Sequence, residues 1–144
     1  MWNKIRHNTK DSYRIDGLIF SLRTGIALLI FLNHGVEKIV DFNAMLITFP
    51  DPLGIGKLPS LLFAFMADVV GSVFLFLGLL FRWSALLIAS NLLVAFFIVH
   101  KANLMEIHGE LALVYLIIIL FLFFFGPGNR SLDSVLKISN RNNK

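Results

Sequence analysis

The residues best equipped for chemistry sit where a water-soluble protein would not put them. Arg23, Asn33, His34, Glu37 and Lys38 interrupt the stretch GLIFSLRTGIALLIFLNHGVEKIV at residues 17–40, which is long and apolar enough to cross a bilayer. At about 100° per residue, Arg23, His34, Glu37 and Lys38 fall within an arc of roughly 100° on one helix face. Leu, Ile, Phe and Ala cover the other face. A charge turned to lipid costs at least ~2.5–3.5 kcal/mol, so the polar face predicts neighbouring helices or a wet cavity opposite it. Arginine, histidine and lysine donate hydrogen bonds and carboxylates relay protons, a set suited to holding and protonating a small polar headgroup.

Three further apolar stretches supply partners. The second span begins near Pro59, a favoured first-turn residue, and places Asp68 near the bilayer middle with Ser72 one turn on. The third carries Asn91 at mid-depth and His100 at its far end, and helical arithmetic points these two in opposite directions, so a straight helix cannot aim both at one site. The fourth starts with His108 and Glu110, becomes IIILFLFFF, and ends at Gly126-Pro127-Gly128, a C-cap glycine followed by a helix breaker. The spans are expected at about 17–40, 59–81, 83–104 and 107–126, with Arg82 and Trp83 making the turn between the second and third.

Composition agrees. The chain has 144 residues, 57% of them hydrophobic, and a mean hydropathy of +0.78, too apolar for an ordinary soluble domain and short enough for one compact bundle. Membrane lipid is the expected surrounding. With no cysteine, disulfides, CxxC redox chemistry, c-type haem attachment, cysteine-ligated clusters and thiolate nucleophiles are all excluded. The formal charge of +4 does not form a nucleic-acid patch, because the basic residues flank the apolar spans. Lys4, Arg6, Lys10 and Arg14 precede the first span, Arg82 lies between the second and third, and Arg130, Lys137, Arg141 and Lys144 follow the fourth. The opposite side has only Lys57 and Lys101. The positive-inside rule then puts both termini in the cytoplasm: an N-terminal arm over 1–16, an uncleaved first span, and a polar tail over 129–144 whose SLDSVLK suits a short amphipathic turn.

This orientation gathers His34, Glu37, Lys38, His100, His108 and Glu110 in the outer half of an all-α, four-helix membrane bundle. Asp68 lies just below them and Arg23 lower still. Arg23 and Asp68 are expected to approach each other, since either alone would be costly in lipid. The connection from Asp41 to Lys57 holds FPDPLGIG and several large apolar residues, and is expected to fold over the outer mouth as an interfacial cover.

The ordered set of residues resembles the DoxX family of small four-span bacterial membrane proteins over roughly residues 17–136. Its pieces are Arg23-Thr-Gly25 and Gly35-Val-Glu-Lys38, Asp68-Val-Val-Gly71 and Leu77-Gly78-Leu-Leu-Phe-Arg82, and Glu110-Leu-Ala-Leu-Val-Tyr115 running to Gly126-Pro127-Gly128 and Ser131-Leu132-Asp133. Asp68 stands where the family pattern more usually has Glu. The resemblance implies a four-helix bundle in the bacterial inner membrane and redox or quinone-linked physiology.

Two classes of function follow. One is a quinone or similar redox-active small molecule bound among Arg23, His34, Glu37, Lys38, Asp68, Asn91, His100 and Glu110, in an oxidative-stress or oxidoreductase system. No intrinsic cofactor is implied, so electrons would come from a soluble or membrane redox partner. The alternative is a proton-coupled transporter or channel for a small polar solute, or a non-catalytic subunit whose polar groups pair internally. The absence of inverted repeats disfavours transport. The histidines match no local ligand motif, so no metal site is expected. A homo-oligomer is compatible with all of these.

Overall fold

The computed structural model describes residues 9–136. The first eight residues of the N-terminal arm, and the tail from 137 with Lys137, Arg141 and Lys144, lie outside them. Helix α1 is one continuous rod: an α-helical run Thr9–Ile30, a π-helical turn Phe31–Gly35 and a last run Val36–Val40, with its apolar span at Tyr13–Val40. Helix α2, Phe42–Thr48, is short and ends ahead of Pro50, which cannot continue it. Helix α3 is the span Lys57–Leu77 and contains a π-helical stretch Met66–Gly71. Helix α4 is Phe81–Val99 and closes in a π-helical stretch Ala95–Val99. Helix α5 is Ile107–Phe125. A single helical turn over 132–136 follows. Among the described residues there is no strand.

Helices α1, α3, α4 and α5 are each long and apolar enough to cross a membrane. They form a ring in chain order in which α1 packs on α3, α3 on α4 and α4 along α5, while α5 approaches α1 more sparsely. Ile26, Ala27, Ile30, Leu75, Ile88, Ile119 and Leu122 fill the middle with almost no solvent exposure. Leu28, Leu29, Phe76, Phe97, Ile117 and Phe124 stay exposed on the outside. Such an apolar exterior is a liability in water and the normal surface in lipid.

The two ends of the bundle differ. At the termini end, the turn from α3 to α4 falls at residues 78–80, not at Arg82–Trp83. Gly78 takes a left-handed φ of +66°, which ends α3, and Arg82 and Trp83 already belong to α4. Leu80 is also left-handed, at φ +46°. The Asp133 carboxylate secures this turn, accepting from the backbone N–H of Leu80 at 3.0 Å and of Phe81 at 2.9 Å. It thereby caps α4 from a distant part of the chain, with the sign favoured at a helix N-terminus.

Arg23 is also here. The residue is 1% exposed, and its guanidinium donates to the carbonyls of Pro127 and Arg130, both at 2.8 Å. A Cβ on Gly78 would collide with this guanidinium and with Ser131, so only glycine leaves room for it. Arg23 and Asp68 therefore do not pair. Gly35 packs directly on the backbone of Asp68, where a Cβ would come within 2.9 Å of the Asp68 carbonyl oxygen. Asp68 is thus level with Gly35 and about 18 Å along α1 from Arg23, at 1.5 Å per residue.

At the opposite, connection end, residues 41–56 lie across the mouth of the bundle. Phe42 packs edge-on against Phe65 of α3 with ring centres 6.1 Å apart. Asp51 staples the loop, its carboxylate accepting from the N–H groups of Ile55 at 3.0 Å and Gly56 at 2.9 Å and from the Ser60 hydroxyl at 3.1 Å. The Lys57 ammonium donates to the carbonyl of Ile47 at 2.6 Å. The expected cover is present, and these bonds fix its shape.

Candidate functional site

Under that cover lies a cavity of about 360 Å³, walled by α1, α3, α4 and α5. Its polar floor is a buried triad drawn from three helices. The Lys38 ammonium lies 2.9 Å from one oxygen of the Asp68 carboxylate, and both side chains are under a tenth exposed. The Asn91 amide donates to the other oxygen at 3.0 Å. Lys38 also donates to the carbonyl of His34 at 3.0 Å. The pair satisfies itself within the low-dielectric interior, and removing either charged partner would strand the remaining charge.

Above the floor, the His34 ring stands edge-on to Tyr115 of α5, with ring centres 6.2 Å apart. His100 and His108 stack at 6.1 Å, and Nδ1 of His100 faces a Glu106 carboxylate oxygen at 3.3 Å. Ile30, Phe63, Ala64, Leu92, Ala95 and Leu111 make apolar walls, and Phe49, Pro52, Leu53 and Ile55 of the cover form the roof.

The π-helical turns explain how these groups converge. In Ala95–Val99 the backbone N–H of His100 bonds to the carbonyl of Ala95 five residues back, so one extra residue is absorbed between Asn91 and His100. The half-turn separating them on a straight helix shrinks to about 80°, and both line the cavity. His34 and Asp68 themselves sit in the π-helical turns of α1 and α3. Beside Asp68, the Ser72 hydroxyl takes up the carbonyls of Asp68 at 2.5 Å and Val69 at 2.9 Å.

Of the residues singled out from sequence, the cavity brings together His34, Glu37, Lys38, Asp68, Asn91 and His100. Glu37 stands exposed at its rim. Two do not join. Arg23 serves the termini end, and Glu110 is exposed and outside the cavity lining. The ligand set expected from sequence did not include Tyr115, Ser60, Asn33 or His108, yet all four line the cavity. For Tyr115 a signal existed, one of only two tyrosines standing in a run of aliphatic residues.

Fold and site together define a four-span helical membrane protein with a buried ion pair at the floor of a covered cavity. The comparisons place it further. Residues 18–101 match the DoxX family, and the chain belongs to that family. It is similar to an uncharacterized protein of Haemophilus influenzae, with 35% identity over 133 residues, covering 88% of this chain and 96% of that protein. No solved structure matches the chain.

Proposed function

We propose that this DoxX-family membrane protein binds the head of a quinone, or of a similar redox-active small molecule with two acceptor oxygens, in the cavity under the cover. The observation carrying this reading is the Lys38–Asp68–Asn91 triad, a charged and hydrogen-bonded floor inside otherwise apolar and aromatic walls. A few converging polar groups within an apolar enclosure are what orients a flat, mostly apolar ligand. Lys38, Asn91, His34 and Tyr115 provide donors for two carbonyl oxygens, and Asp68 and Glu37 provide carboxylates that can relay protons. Reduction of a quinone to its quinol takes up two electrons and two protons. In this reading the two protons come from water at the cavity rim, relayed through Glu37 and the cavity residues, and a soluble or membrane redox partner protein supplies the electrons.

The transport alternative is less well supported. Beyond the triad the bundle is filled by the Ile30, Ile88, Ile119 and Leu122 core, and the Arg23 lock occupies the far end. The positive-inside pattern supports an orientation with both termini cytoplasmic and the cavity in the outer half of a bacterial inner membrane.

Binding of decylubiquinone and of menadione to the purified protein tests the ligand. Thermal stabilisation by both is expected, weakened at least about ten-fold by Asp68→Asn, which removes the charge the triad is built around. No response of the wild-type protein to either quinone, or equal affinity in the variant, overturns the reading.

A further inference from the structure

The cavity is roofed but not fully walled. The cover is held by the Asp51 carboxylate and by the Lys57–Ile47 hydrogen bond, and it packs on α3 through Phe42, so the axial route is closed by a segment fixed at several points. The side wall differs. Helix α5 packs closely along α4, but its few approaches to α1 thin out along Phe31–Val40, where the cavity lies. Most of the cavity-lining residues on the spans that are also exposed flank this one seam, Asn33 and Glu37 on α1 and His108 and Leu111 on α5; Val99, at the end of α4, is the other. The His34–Tyr115 edge contact bridges the seam on its cavity side. Below it, Ile26, Ile30, Ile119 and Leu122 are buried and close the two helices together.

We infer that the seam between α1 and α5 is a side portal through which a membrane-dissolved amphiphile enters the cavity head first, leaving its apolar chain in the bilayer. The inference rests on the ligand reading above and specifies the ligand as one carrying a lipid-soluble tail. Three features agree on this class of occupant. The seam opens sideways, toward the surface that carries the exposed Leu and Phe side chains. Its lips are polar nearest the connection end, at Glu37, Asn33 and His108, and become apolar at Leu111 and in the core below, matching a molecule with a wet head and a dry tail. The cavity volume of about 360 Å³ suits a headgroup and cannot also enclose a long chain, which must lie outside it.

The chain contains no cysteine, so introduced pairs can be bridged cleanly. One variant carries Asn33→Cys and Leu111→Cys across the seam. A second carries Phe42→Cys and Phe65→Cys, pinning the cover to α3 at positions outside the cavity. Each is joined by a bifunctional methanethiosulfonate reagent, reconstituted in phosphatidylcholine vesicles, and tested for decylubiquinone uptake before and after reduction. Bridging the seam is expected to slow uptake at least about ten-fold, as restricted access lowers an association rate, with recovery on reduction. Bridging the cover should leave the rate unchanged. Slowing by the cover bridge alone, or by neither bridge, overturns the portal. A readout without quinone separates this from failure of the ligand reading. Tryptophan introduced by Leu111→Trp, with Trp2 and Trp83 replaced by Phe, should be quenched by phospholipid brominated along its acyl chains. If the unbridged protein takes up no quinone but the quenching is present, the ligand reading fails and the portal stands. If the quenching is absent, the portal fails whatever the ligand.

Discussion

Arg23 and Lys38 stand on the same helix, one toward each end of the bundle, and both are almost completely buried. Arg23 gives its two terminal nitrogens to two backbone carbonyls, with Nε buried and without a partner among the described residues, and lies against a glycine that leaves room for it, so its surroundings are packed. Lys38 gives its charge to a carboxylate at the floor of a cavity. A guanidinium fork matches fixed, paired acceptors, and the loop after α5 supplies them; an ammonium is a point charge that can share its donors with something that arrives. The difference teaches that burial of a cation does not by itself mark a binding site. What it faces decides.

Breaking the filled end should cost the most. Arg23→Ala leaves the Pro127 and Arg130 carbonyls without their charged donor and opens a hole beside Gly78, with an expected loss of about 3–5 kcal/mol in a mixed-micelle unfolding titration. A smaller loss than that of Lys38→Met would reverse the ranking of the two ends. Lys38→Met strands the Asp68 charge and should cost about 3 kcal/mol, whereas Lys38→Met combined with Asp68→Leu should recover most of it. The same titration completes this double-mutant cycle, and additive losses would show that the pair is not coupled. Asp133→Ala removes the cap on α4 and should cost about 1 kcal/mol, leaving quinone affinity intact in equilibrium dialysis. Tyr115→Phe sharpens the contrast from the other side. Its unfolding should move by less than about 0.5 kcal/mol while quinone affinity falls roughly ten-fold, since Tyr115 lines the cavity and the variant keeps the ring that packs into the core.

The four apolar spans and the crowded polar face of α1 were legible because a bilayer imposes length and hydropathy on any helix that crosses it. The cover was legible for a similar reason, apolar residues punctuated by Pro and Gly. The partner of Asp68 was not. Choosing Lys38 over Arg23 depends on how far α1 slides along α3, and that offset is set by the contact of Gly35 with the Asp68 backbone. Nothing in side-chain chemistry announces it. Arg23 bonds to carbonyls, which every residue has, so its destination was hinted at only by the glycines around Pro127. The turn at 78–80 was displaced for a related reason: Asp133 holds Leu80 left-handed from fifty-three residues away, a long-range cause that local propensity does not contain. The conflict between Asn91 and His100 was visible as arithmetic, and the conflict was itself the trace of the π-helical turn that resolves it.

Those turns have a consequence for how this protein can change over generations. A π-helical turn is an α-helix that has accepted one surplus residue without moving its flanks. Losing one residue from Ala95–Val99 would restore an ordinary helix and keep Leu92 and His100 near their present places. The same loss from Leu86–Ser90 would swing everything beyond it by about 100° and dismantle the core. Three of the four spans carry such a slack position, all at the depth of the cavity. Gain or loss of single codons there offers a route to reshaping the chamber that substitution alone does not, with the packed half of the molecule left as inherited.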